Sequence, residues 1–215
     1  MLVKERMSHP VIAIKPDVPI MEAMNLMKEE HIRRLPVVKD NKLVGIVSEK
    51  DLLNASPSDA TSLSVWEINY LLSQIKVGDV MTKSVFTVAE DTPIEEAARF
   101  MVDNKIGGLP VMRDGRVVGL ITETDLFKVL LELMGARESG VRVTALVPEK
   151  FGELAALTKA VADAGGNFIA FGQFAGEDQT NRLITFKVSG VDAAALQSAI
   201  APFIERIIDI RTTHP

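Results

Sequence analysis

The sequence lacks the residues that most catalytic and metal sites need. Among its 215 residues there is no cysteine, so disulfides, thiolate nucleophiles, zinc ribbons and iron–sulfur clusters are excluded. His9, His31 and His214 are scattered, and none lies at a metal-ligand spacing to another. The chain has no Walker loop, no Gly-x-Gly-x-x-Gly string and no Gly-x-Ser-x-Gly string. We therefore expect no enzyme activity, no bound metal and no required cofactor.

Long apolar runs and a basic surplus are absent as well. Charged residues interrupt each apolar stretch before the roughly 18 residues that a membrane span requires, and the first residues contain no apolar signal-peptide region. A net charge of −5 argues against binding along a nucleic-acid backbone. The hydrophobic share of 47% excludes intrinsic disorder. These features predict a globular, cytoplasmic protein that binds neither nucleic acid nor membrane.

An internal repeat organises the first half of the chain. Met7–Leu53 aligns with Met81–Phe127 at an offset of about 74 residues, and roughly 18 of about 47 positions are identical. Two copies are too few for a solenoid. The repeat therefore predicts two small motifs that complete each other's core.

Each copy predicts the same order of elements, β-α-β-β-α. A short apolar strand, at 11–14 or 85–88, precedes a proline and a helix with apolar residues at i, i+3, i+4 and i+7. Two β-rich runs then flank a polar turn, Asp40-Asn41 or Asp114-Gly115, which is typical of a hairpin. A second helix follows each hairpin.

The repeat resembles the CBS motif, and the tandem resembles a CBS pair, also called a Bateman module. The residues that carry the resemblance are the Leu-Pro-Val strands at Leu35 and Leu109 and the segments Gly45–Asp51 and Gly119–Asp125. The resemblance implies a regulatory module that binds adenosine nucleotides.

The segment between the copies predicts a loop over Asn54–Ser64 and a connecting helix over about 62–76. Trp66 and Tyr70 lie at i, i+4 on one face of that helix. The pair is typical of a connector packed on the two motifs, and the alternative is an exposed aromatic pair for a partner.

A different pattern follows the small, polar segment 135–140, which we interpret as the linker after a CBS pair over 1–134. Over 141–215 the pattern predicts the order βαββαβ, the ferredoxin-like plan. The fold class is therefore α+β, a pair of β-α-β-β-α motifs followed by a ferredoxin-like domain. The first motif spans about 3–55 and the second about 77–133.

Ser48-x-x-Asp51 and Thr122-x-x-Asp125 are the candidate ligand sites. A hydroxyl at a helix start, beside unpaired backbone N–H groups, can hold a phosphate. A carboxylate one turn later can accept hydrogen bonds from both hydroxyls of a ribose, and the resemblance to CBS motifs implies these roles. The alternative is a plain helix cap, because Ser or Thr with Asp three residues later is also a capping pattern.

The residues before each Leu-Pro differ between the copies: the first has two arginines and the second has two glycines. Arginine offers forked phosphate contacts, whereas glycine permits close backbone approach. We expect two unequal sites, one binding phosphorylated ligands tightly and the other looser or devoted to the adenosine part. Arginines in ordinary surface ion pairs are the alternative. The CBS resemblance implies that six residues border the adenine and phosphates: Arg33, Arg34, Pro36, Gly107, Gly108 and Pro110.

The C-terminal domain resembles the ACT family, whose members are regulatory modules that often bind amino acids. Phe151–Leu154 opens the first helix and Gly165–Phe168 leaves it. The resemblance implies an effector site at a dimer interface, with Phe151, Gly152 and Asn167 as candidates. Alternatively, Gly152 only permits a turn and Asn167 only begins a strand.

CBS pair, connecting helix and ACT-like tail together resemble the AcuB family of bacterial acetoin utilization proteins. The implied function is a non-catalytic sensor, in which the CBS pair of a homodimer binds AMP, ADP, ATP or a related adenosyl ligand. The ACT-like domain would pass the signal on, in acetoin or amino-acid metabolism. The alternatives are a ligand-independent adaptor that docks on a metabolic enzyme and an unrecognised hydrolase of the bound nucleotide.

Overall fold

The computed structural model describes residues 1–56 and 64–214, except for the side chains at 65, 68, 69 and 71. Residues 57–63, which belong to the loop predicted between the repeats, lie outside the described part. The chain divides into two compact units, Met1–Leu126 and Phe127–Pro215. This division falls earlier than the linker predicted at 135–140. Within the described residues, no helix is both long and apolar enough to cross a membrane.

The first unit contains the two repeated motifs and the helix between them. A 3-10 helix at Val3–Glu5 precedes them. The helices and strands in chain order are α1 Ile20–Glu29, β1 Arg34–Lys39, β2 Lys42–Ser48, α2 Glu49–Asn54, α3 Val65–Gln74, α4 Val77–Val80, β3 Val88–Ala89, α5 Ile94–Asn104, β4 Gly108–Arg113, β5 Arg116–Thr122 and α6 Glu123–Leu133. Helix α6 begins in this unit and ends in the next.

The two hairpins have the same register. In β1–β2, Arg34 pairs with Ser48, and in β4–β5, Gly108 pairs with Thr122, so each helix-start hydroxyl lies beside the first strand residue. The predicted turns have left-handed backbone at both central residues, as a two-residue hairpin turn requires.

The first strand predicted in each motif is shorter than expected. In the first motif it is reduced to one parallel bridge between Ile14 and Val37, and in the second it is the two-residue strand β3. Pro10 and Pro16 bracket the first segment, and their missing N–H groups limit strand pairing. In the second motif, residues 84–86 line a cavity instead.

The amphipathic stripes are confirmed. Helix α1 buries Ile20, Ala23 and Met27 in the first-motif core, and α5 buries equivalent residues in the second. These two cores are separate clusters. Val77, at the start of the second motif, is fully buried in the first-motif core, whereas Val3 is fully buried in the second-motif core.

The motifs thus exchange their leading segments. Backbone hydrogen bonds fix the exchange, because Val77 N–H donates to Val18 and Val3 N–H donates to Thr92. A Cβ on Gly119 would lie 2.3 Å from the sulfur of Met7, so a larger residue would displace the Met7 side chain where the exchanged segment crosses. Each core therefore contains a segment that adjoins the other motif.

Helix α3 is only partly packed. Leu72 is buried in the first-motif core, but Trp66 and Tyr70 are 86% and 66% exposed. The aromatic pair therefore points away from the core, in contrast to a connector packed through these side chains.

The second unit has the predicted order βαββαβ. After the end of α6, its elements are β6 Gly140–Pro148, α7 Glu153–Asp163, β7 Asn167–Ala175, β8 Asn181–Ser189, α8 Ala193–Ile200, a 3-10 helix at Ala201–Phe203 and β9 Arg206–Thr213. The sheet order is β7-β8-β6-β9, with every neighbouring pair antiparallel. Leu157, Val161, Leu196 and Ile200 from the helices pack on one face, around Phe186.

The predicted linker is fixed to this sheet. Lys187 on β8 is only 5% exposed, and its Nζ donates to the carbonyl oxygens of Gly135 and Glu138 at 2.8 and 2.9 Å. Gly135 has a positive φ of 55° at the end of α6. The cation also lies where the carbonyl ends of that helix favour positive charge. Residues 135–140 therefore belong to the packed second unit.

Candidate functional site

The two predicted Ser/Thr–Asp pairs both form helix caps. Ser48 donates from its backbone N–H and its hydroxyl to Oδ2 of Asp51, at 2.8 and 2.6 Å, and its hydroxyl accepts from the Asp51 N–H. Thr122 donates to Oδ2 of Asp125 in the same way, at 3.0 and 2.7 Å. The capping interaction is therefore present in both motifs.

Capping does not use the whole carboxylate in the first motif. Both hydrogen bonds from Ser48 end on Oδ2 of Asp51, and no donor from the described residues contacts Oδ1. Asp51 is half-buried, whereas Asp125 is almost fully buried. An incoming ribose hydroxyl can hydrogen-bond to Oδ1 of Asp51 without breaking the cap.

A cavity of about 550 Å³ opens beside Ser48 and Asp51. Its volume falls in the range of pockets that hold small molecules, about 300–1,000 Å³. Both motifs contribute to its wall, which consists of Arg33, Arg34, Ile46, Ser48, Glu49, Lys50, Asp51, Thr82, Ser84, Val85, Phe86, Lys105, Ile106, Gly107, Gly108 and Glu123.

The cavity unites six of the ten residues predicted for the nucleotide site. They are Ser48, Asp51, Arg33, Arg34, Gly107 and Gly108. Thr122 and Asp125 hold the corresponding positions of the second motif and are not part of this wall. Pro36 and Pro110 are buried in β1 and β4, where the Pro36 carbonyl accepts from the Ile14 N–H. These two prolines therefore shape the strands behind the site.

Sequence reasoning missed the segment 82–86 as a wall of the cavity. The segment follows the exchanged start of the second motif, and Thr82 and Ile46 exchange backbone hydrogen bonds at 2.9 and 3.0 Å. These bonds bring Ser84, Val85 and Phe86 beside the first motif's helix start. The repeat itself carries no signal for this exchange, because the leading segments of the two motifs are similarly apolar.

The two arginines reach from the first motif to the second. Arg33 Nη2 donates to Oγ1 of Thr124 at 3.2 Å. A Cβ on Gly107 would lie 2.0 Å from Nη2 of Arg34 and 2.7 Å from Oε2 of Glu123. The Arg34 guanidinium therefore lies directly over Gly107, beside a carboxylate.

The cavity wall carries more cations than anions. Arg33, Arg34, Lys50 and Lys105 stand against Glu49, Asp51 and Glu123. Such a wall can attract a phosphate while its carboxylates accept hydrogen bonds from a sugar. In the described part of the chain, no group of three or more His, Cys, Asp or Glu side chains could hold a metal ion.

The C-terminal effector candidates lie apart from one another. Phe151 and Gly152 line a cavity of about 230 Å³, and Phe151 is fully exposed. Pro148, just before that loop, pairs with Asn181 at one end of β8, whereas Asn167 pairs with Ser189 at the other. At about 3.3 Å per residue, these ends are about 26 Å apart.

Within one chain, Asn167 therefore lies far from the loop that contains Phe151. The side chains that share this cavity include Phe171, Gln173, Leu157 and Arg182. Arg182 forms an ion pair with Glu149. Gly152 has φ +84°, a backbone conformation that favours glycine, so its role in permitting the turn is visible in the structure.

Comparison with known proteins identifies the family of the first unit. The CBS domain family matches residues 3–58 and 77–132, which together make up more than half of the chain. The chain belongs to the CBS-domain family.

Three solved structures are similar to this chain, and in each case the similarity covers nearly the whole length of the solved chain. CBSX2 in complex with AMP is 34% identical, with 61% of this chain and 97% of that chain covered and a TM-score of 0.52. The CBS domain pair of protein MJ0100, in complex with 5-methylthioadenosine and S-adenosyl-L-methionine, is 32% identical, with coverages of 60% and 95% and a TM-score of 0.50. A putative acetoin utilization protein, AcuB, from Vibrio cholerae is 32% identical, with coverages of 64% and 98% and a TM-score of 0.52.

Proposed function

We propose that this chain is a non-catalytic regulatory sensor whose CBS pair binds AMP, ADP, ATP or a related adenosyl ligand. The cavity of about 550 Å³ carries the proposal, because it unites a ribose-binding carboxylate, two arginines and two glycines in one cleft. Similar structures with AMP, or with 5-methylthioadenosine and S-adenosyl-L-methionine, support this ligand class.

Each part of the ligand has a matching feature in the wall. Oδ1 of Asp51 accepts from the ribose, while the guanidinium groups of Arg33 and Arg34 bind phosphate oxygens through charge-assisted hydrogen bonds. Val85 and Phe86 supply apolar contacts for the adenine. Thr122 and Asp125 provide the equivalent ribose and phosphate contacts of a second site.

The C-terminal domain serves as the output of the sensor in this proposal. Its βαββαβ order and its antiparallel sheet agree with the ferredoxin-like plan of ACT domains. Phe151 and Gly152 line a cavity that can take a small effector, and Asn167 could join them only from a second chain. Similarity to AcuB suggests acetoin metabolism as the regulated process, and the resemblance to ACT domains suggests amino-acid metabolism as the alternative.

A homodimer is part of the same proposal. Helix α6 exposes Phe127, Leu130, Leu131 and Leu133 within the second unit, at 42 to 65%. Exposed apolar side chains at this density are typical of protein contacts. A regulatory ligand can then act only by binding one arrangement of the chains more tightly than another.

Isothermal titration of the full chain with AMP, ADP, ATP, S-adenosylmethionine and NAD tests the sensor. We expect at least one adenine nucleotide to bind, and the Asp51→Ala, Asp125→Ala double variant to bind it at least tenfold more weakly, about 1.4 kcal/mol. Asp103→Ala is the matched control, because Asp103 is exposed on α5, where it forms an ion pair with Arg99. The absence of binding by all five ligands, or equal binding by the double variant, would refute the site.

An adaptor function is the second candidate, and two observations favour it. Both helix starts are capped by their own aspartates, and Trp66 and Tyr70 are exposed. An adaptor predicts that a partner enzyme is recovered in a pull-down with and without nucleotide. It also predicts that Trp66→Ala with Tyr70→Ala abolishes recovery, whereas Phe174→Ala, at another exposed aromatic residue, does not. Recovery that needs nucleotide would favour the sensor.

A further inference from the structure

We infer that Phe100 is a positioning residue for the adenine base, because it holds the ring of Phe86 in the wall of the cavity. This inference rests on the proposed function and adds how the same cavity recognises the base of its ligand. Phe86 is 48% exposed and lines the cavity of about 550 Å³. Among the described residues, it is the only aromatic side chain in that wall.

An edge-to-face contact with Phe100 restrains the Phe86 ring. The two ring centroids lie 5.3 Å apart, with an angle of 76° between the ring planes. Such a pair is favourable because the positive edge of one ring meets the negative face of the other. Phe100 lies on α5 and packs against the second-motif core. The contact therefore connects a half-exposed ring of the cavity wall to a packed helix.

The first motif forms the same helix and hairpin without these two rings. At the repeat offset of about 74 residues, Phe86 and Phe100 correspond to Ile12 and Leu26. Both aliphatic residues pack against the first-motif core, whereas Phe86 lines the cavity. Because aliphatic residues suffice for the core, we attribute the aromatic pair of the second motif to ligand binding.

A restrained ring suits the flat face of a base. In the proposed function, Asp51 binds the ribose and Arg33 with Arg34 binds the phosphate, which leaves the base to the apolar part of the wall. Stacking of a base on an aromatic ring strengthens binding about fivefold or more. An exposed ring exchanges freely between rotamers, and ordering it on binding reduces that gain. Contact with Phe100 favours one orientation by about 2- to 10-fold before the ligand arrives.

Isothermal titration of the full chain with AMP tests the coupling between the two rings in a double-variant cycle. The substitutions are Phe86→Ile and Phe100→Leu, which the first motif already contains at the equivalent positions. We expect Phe86→Ile to weaken AMP binding about fivefold or more, and Phe100→Leu to weaken it about 2- to 10-fold. In the Phe86→Ile background, Phe100→Leu should change the affinity by less than about 1.5-fold. Phe174→Leu, at an exposed phenylalanine of β7, is the matched control.

The proton spectrum of bound AMP adds a readout that a purely structural role of Phe100 would not change. At saturating AMP, the ring current of Phe86 should move the adenine H2 or H8 resonance upfield. Phe86→Ile should abolish this shift. Phe100→Leu should reduce it even when the site is full, because the Phe86 ring then samples other orientations.

The outcomes that overturn this inference differ from those that overturn the sensor. Equal weakening by Phe100→Leu in both backgrounds would show that Phe100 acts independently of Phe86. Unchanged AMP affinity in Phe86→Ile, or no upfield shift in bound AMP, would also overturn the inference and leave the sensor intact. If the unaltered chain fails to bind AMP, the inference is overturned. The sensor is overturned with it only if ADP, ATP, S-adenosylmethionine and NAD also fail to bind.

Discussion

Each motif of the CBS pair should lose stability when the buried valine in the leading segment of the other motif is replaced by alanine. Val77 and Val3 are both fully buried, each in the core of the motif that it does not begin. Valine to alanine removes two methyl groups, about 0.8 kcal/mol each, and leaves a small cavity. We expect a cost of about 2 kcal/mol for either substitution, which raises the local opening equilibrium about 30-fold.

Native-state hydrogen exchange on the full chain measures where this cost falls. Val77→Ala should accelerate exchange of the α1 amides, because α1 packs in the same core as Val77. Val3→Ala should accelerate exchange of the α5 amides in the same way. Val102→Ala is the matched control, because Val102 lies on α5 and is 75% exposed, so its truncation should change protection by less than about 0.5 kcal/mol.

The opposite pattern would refute the exchange of segments. If Val77→Ala loosened α5 and left α1 unchanged, the leading segment would serve its own motif. Equal loss of protection in α1 and α5 for both variants would also contradict the reasoning. The two clusters would then open as one unit, and the location of the truncated valine would not matter.

Three further results are expected. Lys187→Met should lower the free energy of unfolding by about 2–4 kcal/mol in thermal melts, because two linker carbonyls lose a charged donor; a change under about 0.5 kcal/mol would contradict the anchoring role. Gly107→Ala should leave the melting temperature nearly unchanged but weaken AMP binding, since Gly107 lines the cavity and its Cβ displaces the flexible end of Arg34; unchanged AMP binding would count against this. The hydrogen bond from Arg211 lowers the pKa of Asp209, so its stabilisation is complete above the ordinary value of 3.8 and lost below it. Asp209→Asn should therefore flatten the acid limb of a stability curve, and an unchanged limb would contradict the assignment.

Local sequence patterns predicted the elements well and their partners poorly. The spacing of Ile20, Ala23 and Met27 predicted the buried face of α1, because helical periodicity is a local property. The exchange of Val3 and Val77 could not be predicted, since either segment is apolar enough for either core. The distance between Asn167 and the Phe151 loop likewise follows from sheet order, which the resemblance to the ACT family did not by itself resolve.

In the candidate site, too, local contacts could be predicted from the sequence and contacts between the motifs could not. The pairs Ser48–Asp51 and Thr122–Asp125 could be predicted because a cap depends on residues three apart in the chain. Phe86 could not, because its place in the cavity depends on pairing between Thr82 and Ile46 across the two motifs. Contacts within a turn are visible in one sequence, and contacts between repeats are not.

The difference between Arg33-Arg34 and Gly107-Gly108 follows from the packing. Arginines at both pairs would place Arg34 and a residue at 107 in the same space, since a Cβ alone would lie 2.0 Å from Nη2. Two cations held about 4 Å apart near a surface repel by about 4 kcal/mol at an effective dielectric of about 20. Glycines at both pairs would remove the steric conflict but leave Lys50 and Lys105 as the cations of the cavity. Arginine in one copy and glycine in the other supplies guanidinium groups without that repulsion, which accounts for the difference between the duplicated motifs where they meet.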